Sequence, residues 1–427
     1  MSAVPDFCHG LLAGMKAPKG AISTYTELRF KDGDQRTHIP DGAVVVERGK
    51  KRWGCLVEIK TSGVSLEAEQ ISRYLDLARD NGFDGFLTIS NEINSDPYAL
   101  PYSVDKRKLR GLTVYHLSWW RVLTEAIVQH RFRGIEDPDQ AWILGELIRY
   151  LDDGKSGASG FEGMGQEWVR VREDARNETL RASDPEAKTI CHRWEQFAEY
   201  LCLHLSQEIG VDVTHQRPRG ADSNDRIGTA AKRLADEGVL ECSIRVPDAV
   251  GPLGVEANLR TRRVTTTVEI QAPKEGRPKT RVNWLLRQLK DAPDDLRVEV
   301  RLSRARSTQS ALLRDCRDAP ERLLLEGDPK REPRSFLLAL SKPMGRKGGR
   351  TDGSFTAETR RQTTEFYRDL VQGLMPPQTK APRIREDEQK TTDPDEGPAP
   401  VPKAAKETRG ELDSTLLRFA EFSPFSS

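Results

Sequence analysis

Two apolar runs joined by a short charged turn constrain this chain more than anything else in it. Ile39-Pro40-Asp41-Gly42-Ala43-Val44-Val45-Val46 and Cys55-Leu56-Val57-Glu58-Ile59-Lys60 flank Glu47-Arg48-Gly49-Lys50-Lys51-Arg52, a polar segment with a glycine that reads as a hairpin loop. Centring the turn on Gly49-Lys50 sets Val46 opposite Trp53 and Asp41 opposite Glu58. Directly opposed residues point to one face, with Cβ atoms about 4.5–5.5 Å apart. Lys60, two residues beyond Glu58, shares that face. Two carboxylates and an ammonium therefore gather on one side of a sheet, and a slip of one residue would disperse them.

Both faces of the hairpin read as apolar, with Val44, Val46, Val57 and Ile59 on one and Val45 and Leu56 on the other. A strand buried on both faces does not carry charge without a reason. Two close carboxylates repel each other unless a cation or proton intervenes. Hard divalent ions such as Mg²⁺ take such oxygen ligands together with water and phosphate. A bound ion acidifies water and offsets phosphoryl charge, and a neighbouring lysine orients the water or stabilises the transition state. The alternative is a surface hairpin whose Asp, Glu and Lys simply face water.

The flanking sequence extends the set. Leu66 to Asn81 reads as a helix capped by Ser65 and closed before Gly82, on which Gln70 and Tyr74 share a face. Gly85–Ser90 reads as a buried strand. Upstream, Thr24–Phe30 alternates, and Lys31-Asp32-Gly33-Asp34 turns it back so that Glu27 approaches Asp41 as a third carboxylate. His38 would face the same site from the Asp41 strand, although a lone strand histidine is more often structural. Asp6–Gly20 carries no clear helical signal.

Pro40-Asp41, Glu58-Ile59-Lys60 and Gln70-Ile71-Ser72-Arg73-Tyr74 resemble the PD-(D/E)xK nuclease superfamily, and the Gln-x-x-x-Tyr helix looks like its RecB-type branch. The resemblance covers about residues 20–125. It implies an αβββαβ restriction-endonuclease-like core and Mg²⁺- or Mn²⁺-dependent cleavage of nucleic acid, DNA ahead of RNA. Asp41 and Glu58 would be metal ligands, joined by Glu27, with Lys60 the catalytic lysine and Gln70 and Tyr74 supporting it. Repair, restriction and phage defence are the settings such enzymes serve.

At 427 residues, 36% apolar and 31% charged, the chain has the composition of a water-soluble protein of two or three domains. No apolar run approaches a membrane span and no apolar signal core opens the chain. Six scattered cysteines without CxxC or zinc spacing suit a reducing cytoplasm. Net charge is +1, so attraction to nucleic acid must be local. No hydrolase triad, dinucleotide fingerprint or phosphate loop is present.

The fold class expected is α/β (α+β), divided as a nuclease-like domain at 1–152, a linker at 153–160 and an α+β domain at 161–375. A Pro/Glu/Lys-rich tether too poor in apolar residues to pack spans 376–410, and 411–427 reads as a segment docking onto this chain or a protein partner. In the first domain Leu112–Leu117 reads as a strand. Ser118 caps a helix to Gln129, with Trp119 and Trp120 as core residues, and Asp139 opens another helix.

The second domain reads as helices at 166–180, 186–208 and 229–237, then strands at 239–246, 253–260 and 263–271. A helix at 282–290, a strand at 296–302, a helix at 309–317, a strand at 335–340 and a helix at 356–374 complete it. Val268-Glu269-Ile270-Gln271 echoes Val57–Lys60, more by coincidence than by duplication, because β-β-α-β order is common.

Between residues 256 and 306 thirteen Arg/Lys face seven Asp/Glu. Arg260, Arg262 and Arg263, with Lys274, Arg277, Lys279 and Arg281 beside them, form a candidate phosphate-binding patch; a solvated basic loop is the alternative. Lys342–Arg350 is a further basic loop. The function expected is a Mg²⁺-dependent nuclease. The alternative is a nuclease-fold module that binds nucleic acid or protein without turnover, and a weaker option is a ligand-gated sensor.

Overall fold

The N-terminal segment begins with a helix, α1 (Pro5–Leu12), that buries Phe7, Cys8, Leu11 and Leu12. Proline sits in its first turn, where a missing N–H removes no helical bond. Eight residues give barely two turns, too short for periodicity to stand out. Then follow β1 (Ala21–Thr26), a two-residue ribbon of β2 (Phe30–Lys31) and β3 (Thr37–His38), β4 (Gly42–Arg48), β5 (Lys51–Ile59), α2 (Ala68–Asp80), β6 (Gly85–Ser90) and β7 (Thr113–Ser118). This computed structural model describes residues 2–31, 37–61, 67–94, 104–153, 155–158, 160–161, 163–217, 223–303, 308–325, 327–346, 349 and 351–377.

The first sheet has the order β1-β4-β5-β6-β7. β1, β4 and β5 are antiparallel, with Val46 opposite Trp53 and Gly42 opposite Val57; β5, β6 and β7 are parallel. Each face buries its own cluster. Val44, Val46, Cys55 and Val57 pack with α1, while Ala43 and Leu56 pack with Ile71, Tyr74 and Leu75 of α2. Alternation along one strand pair therefore feeds two cores. Ile59, expected on the apolar side, is 36% exposed because it lies where the strand runs out of the sheet. β1 stops at Thr26, short of the expected Phe30, because Glu27 takes a left-handed φ of 52°. His38 belongs to the β2–β3 ribbon rather than to the Asp41 strand.

Ser118 caps α3 (Trp119–Val128) by accepting the Arg121 N–H, which satisfies a donor that the first turn leaves free. A π-turn over Gln129–Arg133 follows, and Asp137, not Asp139, caps α4 (Pro138–Asp152). Beyond it come α5 (Trp168–Arg176), α6 (Pro185–Ile209), β8 (Thr214–Gln216), α7 (Ser223–Glu237), β9 (Val239–Arg245), β10 (Leu253–Asn258), β11 (Arg263–Gln271), α8 (Pro278–Gln288), β12 (Arg297–Leu302), β13 (Gln309–Leu312), α9 (Leu313–Asp318), β14 (Pro333–Pro343) and α10 (Phe355–Asp369). The chain is thus a mixed α/β protein.

The second sheet is antiparallel throughout, in the order β13-β12-β14-β11-β10-β9-β8. Trp194, Phe197 and Leu201 of α6 meet Phe355 and Phe366 of α10 in its core. The stretch 309–317, expected as one helix, is half strand. Gln309–Leu312 pairs with β12, whose open edge offers bonds that outweigh a local helical preference. β14 lies between β11 and β12, whereas β5 and β6 pair directly, so the sequence echo does not extend to topology.

Residues up to Thr379 form one compact unit. Its two sheets meet through α3 and α6, where Gln207 donates to Thr124 Oγ1 at 2.8 Å and Trp120 packs on Tyr200. Arg121 pairs with Asp212 beside them. The segment 411–427 and all of the tether beyond residue 377 lie outside the described residues, as do Ser65 and part of the Lys342–Arg350 loop. Among the described residues no helix is long and apolar enough to cross a membrane, and all six cysteines are free and buried.

Because the Ser118 cap anchors the helix that begins with Trp119, Ser118→Ala should lower unfolding free energy by about 1 kcal/mol, read as a lower denaturant midpoint at unchanged slope.

Candidate active site

The site lies at the carboxyl ends of the parallel strands, where β5, β6 and β7 finish at Ile59, Ser90 and Ser118, the edge at which open α/β sheets present ligand-binding groups. Asp41 stands one residue before β4 and Glu58 one residue before the end of β5. The register that pairs Gly42 with Val57 brings the two together. Asp41 then bridges the strand ends, its Oδ2 accepting the Ile59 N–H at 2.7 Å. Lys60 leaves the sheet beyond them. Its N–H donates to the Ile89 carbonyl at 2.8 Å, and its own carbonyl accepts from Trp119 Nε1 at 2.9 Å.

Glu58 is 1% exposed. Its Oε1 accepts from Lys60 Nζ at 2.7 Å and from Gln70 Nε2 at 3.0 Å. Gln70 also donates to the Tyr74 hydroxyl at 3.2 Å, and that hydroxyl donates to the Ile39 carbonyl at 3.2 Å. One helical turn of α2 thereby ties the Glu58 carboxylate to the segment that delivers Pro40-Asp41. Glu58 Oε2 is buried and has no hydrogen-bond partner. A bare buried carboxylate oxygen carries its full desolvation penalty, so it is the place in this cluster where a cation fits.

The charges respond to this setting. Burial pushes the Glu58 pKa up; the Lys60 hydrogen bond opposes that rise and the Asp41 charge adds to it. For Lys60 burial pulls the pKa down, but the hydrogen bond and charge of Glu58 outweigh it and the ammonium is held above its ordinary value. The two directions agree physically, since Glu58 is almost fully buried and Lys60 is 21% exposed. Burial likewise raises Tyr74, against the lowering hydrogen bond from Gln70, so its hydroxyl stays protonated and donates.

A polar row continues on the same face across the parallel strands. Thr88, registered with Glu58, shares a 2.9 Å hydrogen bond with His116 Nδ1, and His116 Nε2 lies 2.9 Å from the Glu92 carbonyl. A carbonyl only accepts, so Nε2 carries the proton and Nδ1 accepts from Thr88. Burial lowers the His116 pKa, opposed by the bond to Glu92, which keeps the ring neutral.

Glu27 lies beside Asp41: its N–H donates to the Asp41 carbonyl at 3.2 Å, and both residues are exposed. Among the described residues no group of three His, Cys, Asp or Glu is arranged to hold a metal.

The basic residues of the second sheet are placed differently from the expected patch. Arg260, Arg262 and Arg263 lie at one end of β11 and Lys274, Arg277, Lys279 and Arg281 beyond the other. Eight strand steps, about 27 Å, separate them. Several are already engaged. Arg260 donates to the Ala235 and Asp236 carbonyls and pairs with Glu178; Arg262 pairs with Glu173 and Arg263 binds Ser341. Arg281 is 6% exposed and donates to the carbonyls of Lys274, Gly276 and Pro333, and Lys279 pairs with Glu321. Lys274 and Arg277 stay exposed.

No family profile, curated protein or solved structure matches this chain. Two contributors escape sequence reasoning: the Ile39 carbonyl and the Trp119 indole. Trp119 reads as a core residue at a helix start, and only the β5-β6-β7 order reveals that its N–H meets Lys60.

Two outcomes follow from these environments. Glu58 has a raised folded-state pKa, so its ionised form opposes folding, and that penalty sets in as pH rises through the folded pKa. In metal-free buffer Glu58→Gln should therefore be at least as stable as the parent at pH 7. The difference should vanish on acidification, read from denaturant midpoints across pH. Arg281→Ala should lose about 2–4 kcal/mol, because three carbonyls, that of Pro333 in a buried bond, lose a charged donor that is itself buried, with nucleic-acid affinity unchanged in a binding titration.

Proposed function

We propose that the protein is a Mg²⁺-dependent nuclease that hydrolyses phosphodiester bonds, DNA ahead of RNA, on a restriction-endonuclease-like core of the PD-(D/E)xK type. The observation that carries the reading is the buried Glu58 carboxylate, bare at Oε2, beside Asp41 and capped at Oε1 by Lys60. The order of elements supports it: a helix, an antiparallel trio β1-β4-β5, the helix α2 and the parallel strand β6.

Asp41 and Glu58 would hold the ion, which when bound supplies an acidified water and offsets phosphoryl charge. The chain's own groups do the positioning. Gln70 and Lys60 occupy Glu58 Oε1 and leave Oε2 without a partner for the ion to take. The Ile59 N–H fixes the Asp41 carboxylate. Because Glu58 keeps Lys60 charged, the ammonium serves as a donor to the attacking water or to the phosphoryl oxygens rather than as a base. Tyr74 and Trp119 hold the two backbone segments that carry Asp41 and Lys60.

Lys60→Ala should cut cleavage of plasmid, linear duplex or single-stranded substrate in Mg²⁺ or Mn²⁺ by about a hundredfold or more, while Mg²⁺ binding by calorimetry persists. Asp41→Ala and Glu58→Ala should lose both. Cleavage by Lys60→Ala at the parental rate would overturn the mechanism. No cleavage of any substrate together with no Mg²⁺ binding would make the protein a binding module, whereas metal binding without cleavage would point to a missing activator or partner.

A further inference from the structure

The hairpin that sets the register of the site ends in a tip of uncompensated positive charge. Arg48, Lys50, Lys51 and Arg52 are all exposed around Gly49, whose φ of 61° makes the turn. Arg48 is registered directly opposite Lys51, and like charges so placed destabilise a strand pair. Lys19 joins them, since Gly20 packs so closely on the Glu47 carbonyl and Arg48 Cβ that it has no room for a side chain of its own. Lys16 follows Met15, which packs against Gly85 at the same sheet end. Glu47, opposite Arg52, is the nearby acid on the strand pair; Asp84 is occupied by the Gly54 N–H.

None of these six cations makes an ion pair or side-chain hydrogen bond with the described residues. Many arginines elsewhere differ, since Arg121, Arg170, Arg226, Arg301, Arg317 and Arg361 all pair with acids, while other unpaired cations, such as Lys274 and Arg277, are not gathered in such number on one turn. No large exposed hydrophobic residue lies at the tip; Tyr25, Ile39 and Ile59 are at the other end of the sheet. A membrane-inserting surface needs apolar anchors beside its cations. Cations alone, mounted on a rigid turn, suit a polyanion whose charges are closely and regularly spaced.

We propose that the 48–52 hairpin tip, with Lys16 and Lys19, is a binding site for the phosphodiester backbone of nucleic acid. It is remote from Asp41 and Glu58, since Arg52 and Glu58 are six strand steps apart, about 20 Å. The choice of nucleic acid over another polyanion rests on the phosphodiester reading of the site; the binding itself needs neither metal nor turnover. The tip would read no sequence, because contacts to phosphate fix position and carry no base information.

The test is fluorescence-anisotropy titration of the full chain in EDTA, where cleavage cannot occur, against labelled duplex DNA, single-stranded DNA and RNA at several salt concentrations. Lys50→Ala/Lys51→Ala/Arg52→Ala should weaken binding at least tenfold and reduce the log–log salt slope by about 2–3. Arg170→Ala/Arg361→Ala/Arg368→Ala removes the same charge from paired surface positions and should change affinity less than threefold. Circular dichroism and unfolding midpoints verify that both variants are folded. Parental affinity in the hairpin variant would overturn the site, as would equal losses in both variants, which would mean a global charge effect. Tighter binding to anionic phosphatidylserine vesicles than to any nucleic acid would overturn it as well. A nuclease that fails through Lys60 while the hairpin still binds would separate the two readings.

Discussion

The register of one antiparallel hairpin underlies the whole arrangement. With Gly42 opposite Val57, Asp41 reaches the Ile59 N–H and Glu58 turns under Lys60. Shifted by one residue, a strand would exchange its side chains between the two cores and separate Asp41 from Glu58. Both faces of β4 and β5 are packed, so the two cores fix this register independently. The valines facing α1 and the Ala43–Leu56 pair facing α2 must be satisfied together. A site that needs ångström-level placement of two carboxylates thus rests on apolar packing on either side of it.

Against that background Glu58 is the costly element. A buried carboxylate is tolerated only when paired and hydrogen-bonded, and this one is paired at one oxygen alone. Its environment raises its own pKa while it raises that of Lys60. Stability alone favours a neutral residue here, and a strongly perturbed buried carboxylate is the kind of group that marks candidate functional sites. The supporting bonds from Gln70, Tyr74 and Trp119 come from α2 and from the start of α3, elements with their own packing, which makes the constellation rigid rather than adaptable.

Positive charge divides the molecule in another way. Around β11 several arginines are structural, holding carbonyls and acids at turns, and Arg281 is as much a core residue as its aliphatic neighbours. The hairpin tip behind the site has similar residue types and no such partners. Counting basic residues along a sequence does not separate these cases, because what distinguishes them is the acid or carbonyl that the fold brings alongside.

Local sequence suffices for the alternation of β4 and β5, the turn at Gly49 and the helical face shared by Gln70 and Tyr74, since each depends on neighbours within one or two elements. It also specified the cap at Ser118 and five of the seven strands of the second sheet. It did not show α1, whose two turns are too short for a period, or the strand at Gln309–Leu312, which exists because β12 leaves an edge open. The separation of the two basic clusters by the length of β11 and the bond from Trp119 to Lys60 come only with the tertiary structure. Each depends on which strands lie side by side, and that choice is made by long-range packing and edge pairing rather than by any local preference of the chain.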